Sequence, residues 1–124
     1  MGTEEKVKIK NFCDLLAWQE AHQLSLCVYR TTREFPRDEV YGLVSQMRRA
    51  SVSVSSNIAE GFGRRTNPDK RHFYDMAGGS LAELQSQLHL ARDLVYLPKE
   101  KTVELLERTE RVYKLLNGLI GFIS

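Results

Sequence analysis

Long apolar runs are missing from this chain, and so are the residue clusters that support redox, metal or secretory chemistry. No stretch approaches the roughly 18 consecutive apolar residues of a membrane span. The opening MGTEEKVKIK lacks the apolar core of a signal peptide. No membrane partner is expected, and a cytoplasmic location is. Gly2 opens a myristoylation pattern, but Lys6 stands where that pattern carries Ser or Thr. Cys13 and Cys27 are the only cysteines, with no CxxC spacing, and His22, His72 and His89 are scattered. A zinc site needs about four ligands, so no metal and no cofactor is expected. Cys27 reads more simply as a small core residue. Charge of one sign is lacking too: 18 Lys and Arg against 16 Asp and Glu leave a net +2. Total charge therefore does not announce nucleic acid, and its distribution has to be read instead.

What the chain has is helical periodicity. Its 124 residues make one domain, with residues 1–12 expected as a loose N-terminal arm. In DLLAWQEAHQLSLCVYRTTREF, Ala17, Ala21, Leu24 and Val28 recur at helical spacing, with Asp14 as N-cap and Pro36 as the stop. A second helix is expected from about Glu39 to Phe62, with Val40, Leu43, Met47, Ala50, Val54 and Ile58 on one arc. Asn67 followed by Pro68 reads as the cap and first residue of a third. Its face continues through Ala77, Leu84, Leu88, Ala91 and Val95. After the turn at Pro98, Val103, Leu106, Val112, Leu116, Leu119 and Ile123 supply the fourth stripe. The expected fold is all-α, an up-down-up-down four-helix bundle.

The segment SVSVSSNIAEGFGRR, residues 51–65, alternates like a strand and then turns glycine-rich. The strand reading loses the apolar positions on both sides, so the segment is assigned to helix two. GFGRR follows no strand and lacks the Gly-Lys-Ser/Thr that holds a nucleotide's phosphates. Beside the apolar arc runs a polar stripe: Gln46, Arg49, Ser53, Asn57, Glu60 and Arg64. It reads either as a solvated face or as an interaction surface. The small residues Ser45, Val52, Ser56 and Ala59 on the far side favour subunit contact. Antiparallel pairing across the second turn sets Arg49 level with Glu83, and Ser53 level with Gly78 and Gly79. Two glycines inside a helix cost about 2 kcal/mol, which close backbone approach would offset. Ser80-Leu81-Ala82-Glu83 also fits a capping box, but the stripe through Met76, Ala77, Leu81 and Leu84 favours one continuous helix. Arg49, with Arg48 as a second candidate, is expected to pair with Glu83 within or between subunits.

Three segments carry a resemblance. LVSQMRRA (43–50), NIAEGFGR (57–64) and GSLAE (79–83) resemble the hallmark segments of bacterial four-helix-bundle proteins encoded within intervening sequences of 23S ribosomal RNA genes. Trp18-Gln19 and Phe35-Pro36 match as well, and the likeness runs from about Asp14 to Ile120. It implies a non-enzymatic, cytoplasmic homopentamer, similar in fold to the nucleic-acid-binding accessory variability protein of diversity-generating retroelements. Gly78 departs from the pattern, because family members usually carry Arg or Lys there.

Three function classes follow from the residues. Arg49, Asn57, Glu60 and Glu83 could be drawn as an active site, but no activated nucleophile accompanies them, so no catalytic residue is expected. Arg48, Arg49, Asn57, Glu60 and Glu83 are expected as a structural polar cluster. The basic group Arg64, Arg65, Lys70 and Arg71, multiplied around a homo-oligomeric ring, suggests binding of structured RNA or DNA. No aromatic pattern of an RNA-recognition sheet and no evident recognition helix accompanies it. The alternative is a scaffold presenting a surface to a partner protein.

Overall fold

The structure is a computed structural model that describes residues 8–124. Residues 1–7 of the expected N-terminal arm lie outside the described residues. Four helices account for most of the rest: α1 Leu16–Thr32, α2 Leu43–Phe62, α3 Asn67–Asp93 and α4 Lys99–Ile123. Short 3-10 turns at Phe12–Asp14 and Arg37–Glu39 precede α1 and α2. There is no strand among the described residues, so the Ser-Val alternation is helical as expected. Each helix packs against two others, in the cycle α1–α2–α3–α4–α1, with α2 and α3 sharing the longest seam. No helix is long and apolar enough to cross a membrane.

The helix ends differ from the sequence expectation in instructive ways. Asp14 does not cap α1. It belongs to a capping box one turn earlier, where its Oδ2 accepts from the backbone N–H groups of Lys10 and Asn11, and Asn11 Oδ1 accepts from Cys13 N–H. Those two amides hold its carboxyl below the usual range. Helix α2 begins at Leu43 rather than Glu39, because the backbone leaves the helical path at Gly42 (φ −113°, ψ −111°); Glu39 Oε1 then accepts from the free Leu43 N–H at 3.1 Å. At α3 the cap is Thr66, whose Oγ1 accepts from Asp69 N–H. Asn67 instead donates its amide to the Ile123 carbonyl at 3.1 Å, tying α3 to the last turn of α4.

The core is made by Leu24, Val28, Met47, Val54, Ile58, Leu81, Leu84, Leu88, Leu105, Val112 and Leu116, each at most 1% exposed. Helix two follows the expected arc except at Val40, which is exposed. In α4 the buried face begins one residue earlier than expected, at Thr102, Leu105 and Thr109, leaving Val103 exposed. Two threonines therefore occupy core positions that a search for apolar residues passes over. Their hydroxyls donate to carbonyls of their own helix, Pro98 and Leu106, so burial leaves no donor unpaired. Thr32 does the same towards the Val28 carbonyl in α1. Val95 lies past the end of α3, with φ 64° and 86% exposure, and so is not part of the core face.

Helix α3 runs unbroken through Gly78 and Gly79, but not because two backbones meet there. A Cβ at Gly79 would meet nothing within 4 Å. At Gly78 it would make ordinary contact, at 3.8 Å, with Leu116 and Tyr113 of α4 rather than with α2. The close approach across the α2–α3 seam is at Gly61, where a Cβ would lie 2.7 Å from the Tyr74 ring.

Candidate functional site

The polar stripe of α2 meets α3 close to the expected register. Ser80 Oγ donates to Ser53 Oγ at 2.8 Å, and Asn57 Nδ2 donates to the Ser53 carbonyl and hydroxyl at 2.8 and 3.0 Å. Arg49 and Glu83 line one open depression of about 460 Å³ with Gln46, Ala50 and Ser53. The two charges are brought to one place but form no ion pair within the subunit. Both are exposed, and Glu83 Oε2 accepts instead from Gln87 Nε2 at 3.2 Å. Glu60 pairs with Arg64 one turn on, at 2.8 Å on the exposed surface. Arg48 points the other way, towards α1. Its Nε donates to Thr32 Oγ1 at 3.0 Å and its Nη2 to the Tyr29 carbonyl at 3.2 Å. The five residues expected as one cluster thus divide among three neighbourhoods.

The basic group at the α2–α3 end is largely occupied by local partners. Arg64 holds Glu60 and lies 4.5 Å over the Phe73 ring. Lys70 Nζ donates to the Phe62 carbonyl at 2.7 Å, closing the C-terminus of α2, where a cation meets the negative end of the helix dipole. Arg71 pairs with Asp75 at 3.0 Å. Only Arg65 of the four has no partner among the described residues.

A different set of cations gathers at the opposite end, where α1 turns into α2. Phe35 is buried beneath this connection, against the Tyr96 ring at 5.5 Å, and so holds the Arg37–Glu39 turn on the bundle. The turn and the two helix ends enclose a cleft of about 420 Å³ lined by Tyr29, Arg33, Arg37, Tyr41, Arg48 and Arg49. Its floor includes the buried residues Thr32, Phe35 and Val44. No carboxylate lines it. None of its four arginines has an ion-pair partner among the described residues, whereas Arg64, Arg71, Arg92 and Arg111 elsewhere each have one.

Two side chains at this end are held by specific partners. The guanidinium of Arg48 stacks over the Tyr29 ring at 4.5 Å, and two of its N–H groups are fixed by Thr32 and Tyr29. That leaves three of the five guanidinium donors unengaged. The Glu39 carboxylate of the same turn is engaged elsewhere: its Oε1 accepts from Leu43 N–H and its Oε2 from Tyr96 OH at 2.8 Å. These bonds hold the Glu39 carboxyl below the usual range, the backbone amide contributing most. The same carboxylate pushes the Tyr96 hydroxyl up, so the phenol stays a donor.

The cleft escapes periodicity analysis because its residues come from three elements and share no helical spacing. Arg49 was legible as part of the stripe facing α3, and Arg48 only as a second candidate partner of Glu83 and a member of the 43–50 segment. Arg33 and Arg37, on either side of Phe35-Pro36, carried the remaining signal. Among the described residues, no group of His, Cys, Asp and Glu could hold a metal ion.

The family model of the 23S rRNA-intervening sequence protein matches residues 13–118. The chain belongs to this family. No curated protein matches it. Among solved structures, it is similar to a crystal structure of a protein with unknown function from the S23 ribosomal protein family of Bacteroides thetaiotaomicron. The TM-score is 0.79 at 16% identity, over 86% of this chain and 96% of that one, a likeness of fold alone. In this 23S rRNA-intervening sequence family member, the 43–50 segment supplies Val44, Ser45, Arg48 and Arg49 to the cleft. The 57–64 segment packs the second turn, with Gly61 against Tyr74.

Proposed function

We propose that this protein is a non-enzymatic, cytoplasmic, homo-oligomeric bundle that binds RNA or DNA through phosphates. The family resemblance implies five subunits. The observation that carries the binding reading is the cleft at the α1–α2 end, where four arginines converge with no carboxylate in the lining. A guanidinium without an acid partner is suited to a phosphate, which it can grip with two parallel hydrogen bonds. Repeated around an oligomer, such clefts would concentrate positive potential on a chain of nearly balanced charge. Arg64, Arg65, Lys70 and Arg71 form a secondary contact, weaker because local partners already hold three of them.

The test is nucleic-acid binding as a function of salt, comparing wild type with the Arg37→Ala/Arg49→Ala double variant. The logarithm of the association constant should fall linearly with the logarithm of salt concentration. The slope should be about −0.7 to −0.9 per phosphate neutralised, and shallower in the variant. Salt-insensitive binding, or none at low salt, would overturn the reading. A protein-binding scaffold then becomes the better account, and one observation favours it. Leu90, Leu94 and Val95, beside the α3–α4 turn, are 50%, 44% and 86% exposed.

A further inference from the structure

The cleft contains more than positive charge. Tyr41 stands between the Arg37–Glu39 turn and α2 with 97% of its surface exposed, an aromatic ring at the cleft edge that nothing in the subunit covers. Tyr29, on α1, is 40% exposed and carries the stacked Arg48 guanidinium on its face. A phosphate alone would use the arginines and leave the Tyr41 ring idle. A duplex has the same limitation, because its bases are stacked inside and only its backbone is presented. An unpaired nucleotide offers both chemistries at once, a flat base that stacks on tyrosine or guanidinium planes and a phosphate for the arginines. The cleft's volume lies in the range of about 300–1,000 Å³ usual for sites that enclose a small ligand.

We infer that the cleft at the α1–α2 end binds an unpaired nucleotide of a nucleic-acid strand, with the base stacked on Tyr41 and the phosphate held by Arg37, Arg48 and Arg49. This rests on the nucleic-acid reading above and narrows it from any phosphate backbone to unpaired segments. Tyr41 is the discriminating residue. It carries no charge, so its loss does not alter the electrostatic attraction common to every polyanion.

The experiment measures fluorescence anisotropy of labelled oligoadenylate, and of the same strand annealed to oligouridylate, with the full chain at one fixed salt concentration. Base–aromatic stacking is worth about 1–3 kcal/mol per base, a factor of roughly 5 to 150. The single strand should bind tighter than the duplex by a factor in that range, and Tyr41→Ala should remove most of the difference. Tyr41→Phe, which keeps the ring, should retain it. Tyr41 is almost fully exposed in the subunit, so neither variant should disturb the subunit's own fold, and sedimentation checks that assembly is kept. Adenosine monophosphate should compete for the site where inorganic phosphate at the same concentration does not.

Equal binding of strand and duplex, unchanged by Tyr41→Ala but weakened by Arg37→Ala/Arg49→Ala, would overturn the inference and leave the phosphate-binding reading standing. Adenosine monophosphate binding without any strand binding would identify a free-nucleotide pocket and overturn both. Binding of neither probe would overturn both as well.

Discussion

Alanine at Gly79 should stabilise this protein, while alanine at Gly61 should destabilise it. Both glycines are helical, Gly79 in the middle of α3 and Gly61 near the end of α2. Replacing a helix-interior glycine with alanine gains about 0.8–1.0 kcal/mol from backbone entropy. At Gly79 the new methyl meets nothing within 4 Å, so that gain should appear in full. It corresponds to a rise in melting temperature of about 3–5 °C for a domain of this size. At Gly61 the methyl would lie 2.7 and 2.9 Å from two atoms of the Tyr74 ring and 3.1 Å from Phe73 Cβ. Tyr74 is only 2% exposed, so the ring has little room to withdraw. Overpacking costs about 1–3 kcal/mol, which outweighs a helix gain of at most about 1 kcal/mol. The net is a loss of up to about 2 kcal/mol. Urea denaturation at matched protein concentration reads both variants, since the stability of an oligomer depends on concentration. A Gly79→Ala variant less stable than wild type would show that another surface packs on α3 there. A Gly61→Ala variant more stable than wild type would show that the α2–α3 seam is looser than the distances indicate.

Three further outcomes follow from charge and backbone geometry. Two hydrogen bonds hold Glu39 below the usual carboxylate range in the folded state, so its stabilising effect is complete above the unfolded-state value. That effect should be lost as pH falls through the lower folded value, and Glu39→Gln should flatten this acid limb in pH-dependent denaturation. Glu83→Ala should change stability by less than about 1 kcal/mol, as for an exposed charge, rather than the roughly 3–5 kcal/mol expected had the Arg49 pair been buried. A large fall in its melting temperature would mean that subunit assembly buries the site. Val95→Gly should raise stability by about 1 kcal/mol in thermal melts, because a left-handed conformation costs a β-branched residue about 1–2 kcal/mol and little burial is lost.

The four helices were legible because each keeps an apolar stripe for several turns, and tertiary packing then only had to confirm the period. The ends were less legible. Choosing Asn67 over Thr66 as the cap of α3 depends on which of two adjacent polar side chains faces the free amides. The Asn67 amide is drawn away by Ile123, far along the chain. The buried face of α4 was misplaced by one residue because Thr102 and Thr109 satisfy their own hydroxyls and so serve as core residues. The antiparallel register was readable within a residue or two, as the Ser53–Ser80 bond demonstrates. Whether Arg49 would meet Glu83 as a pair was not, since register fixes height along two helices and leaves the side chains' directions free. The arginine cleft was the least accessible feature, because it exists only once the α1–α2 connection folds back over Phe35.

The bond from Tyr96 to Glu39 joins groups 57 residues apart in the chain, and its influence extends past the turn it braces. With one oxygen held by the phenol and the other by Leu43 N–H, the carboxylate is fixed from both sides. Without the phenol, one carboxylate oxygen would lose its partner, and the α1–α2 connection would lose a tie to the α3–α4 turn. A hydroxyl contributed by the α3–α4 turn thus fixes the one bend that joins the first two helices, so the second half of the chain sets the shape of a connection made entirely by the first.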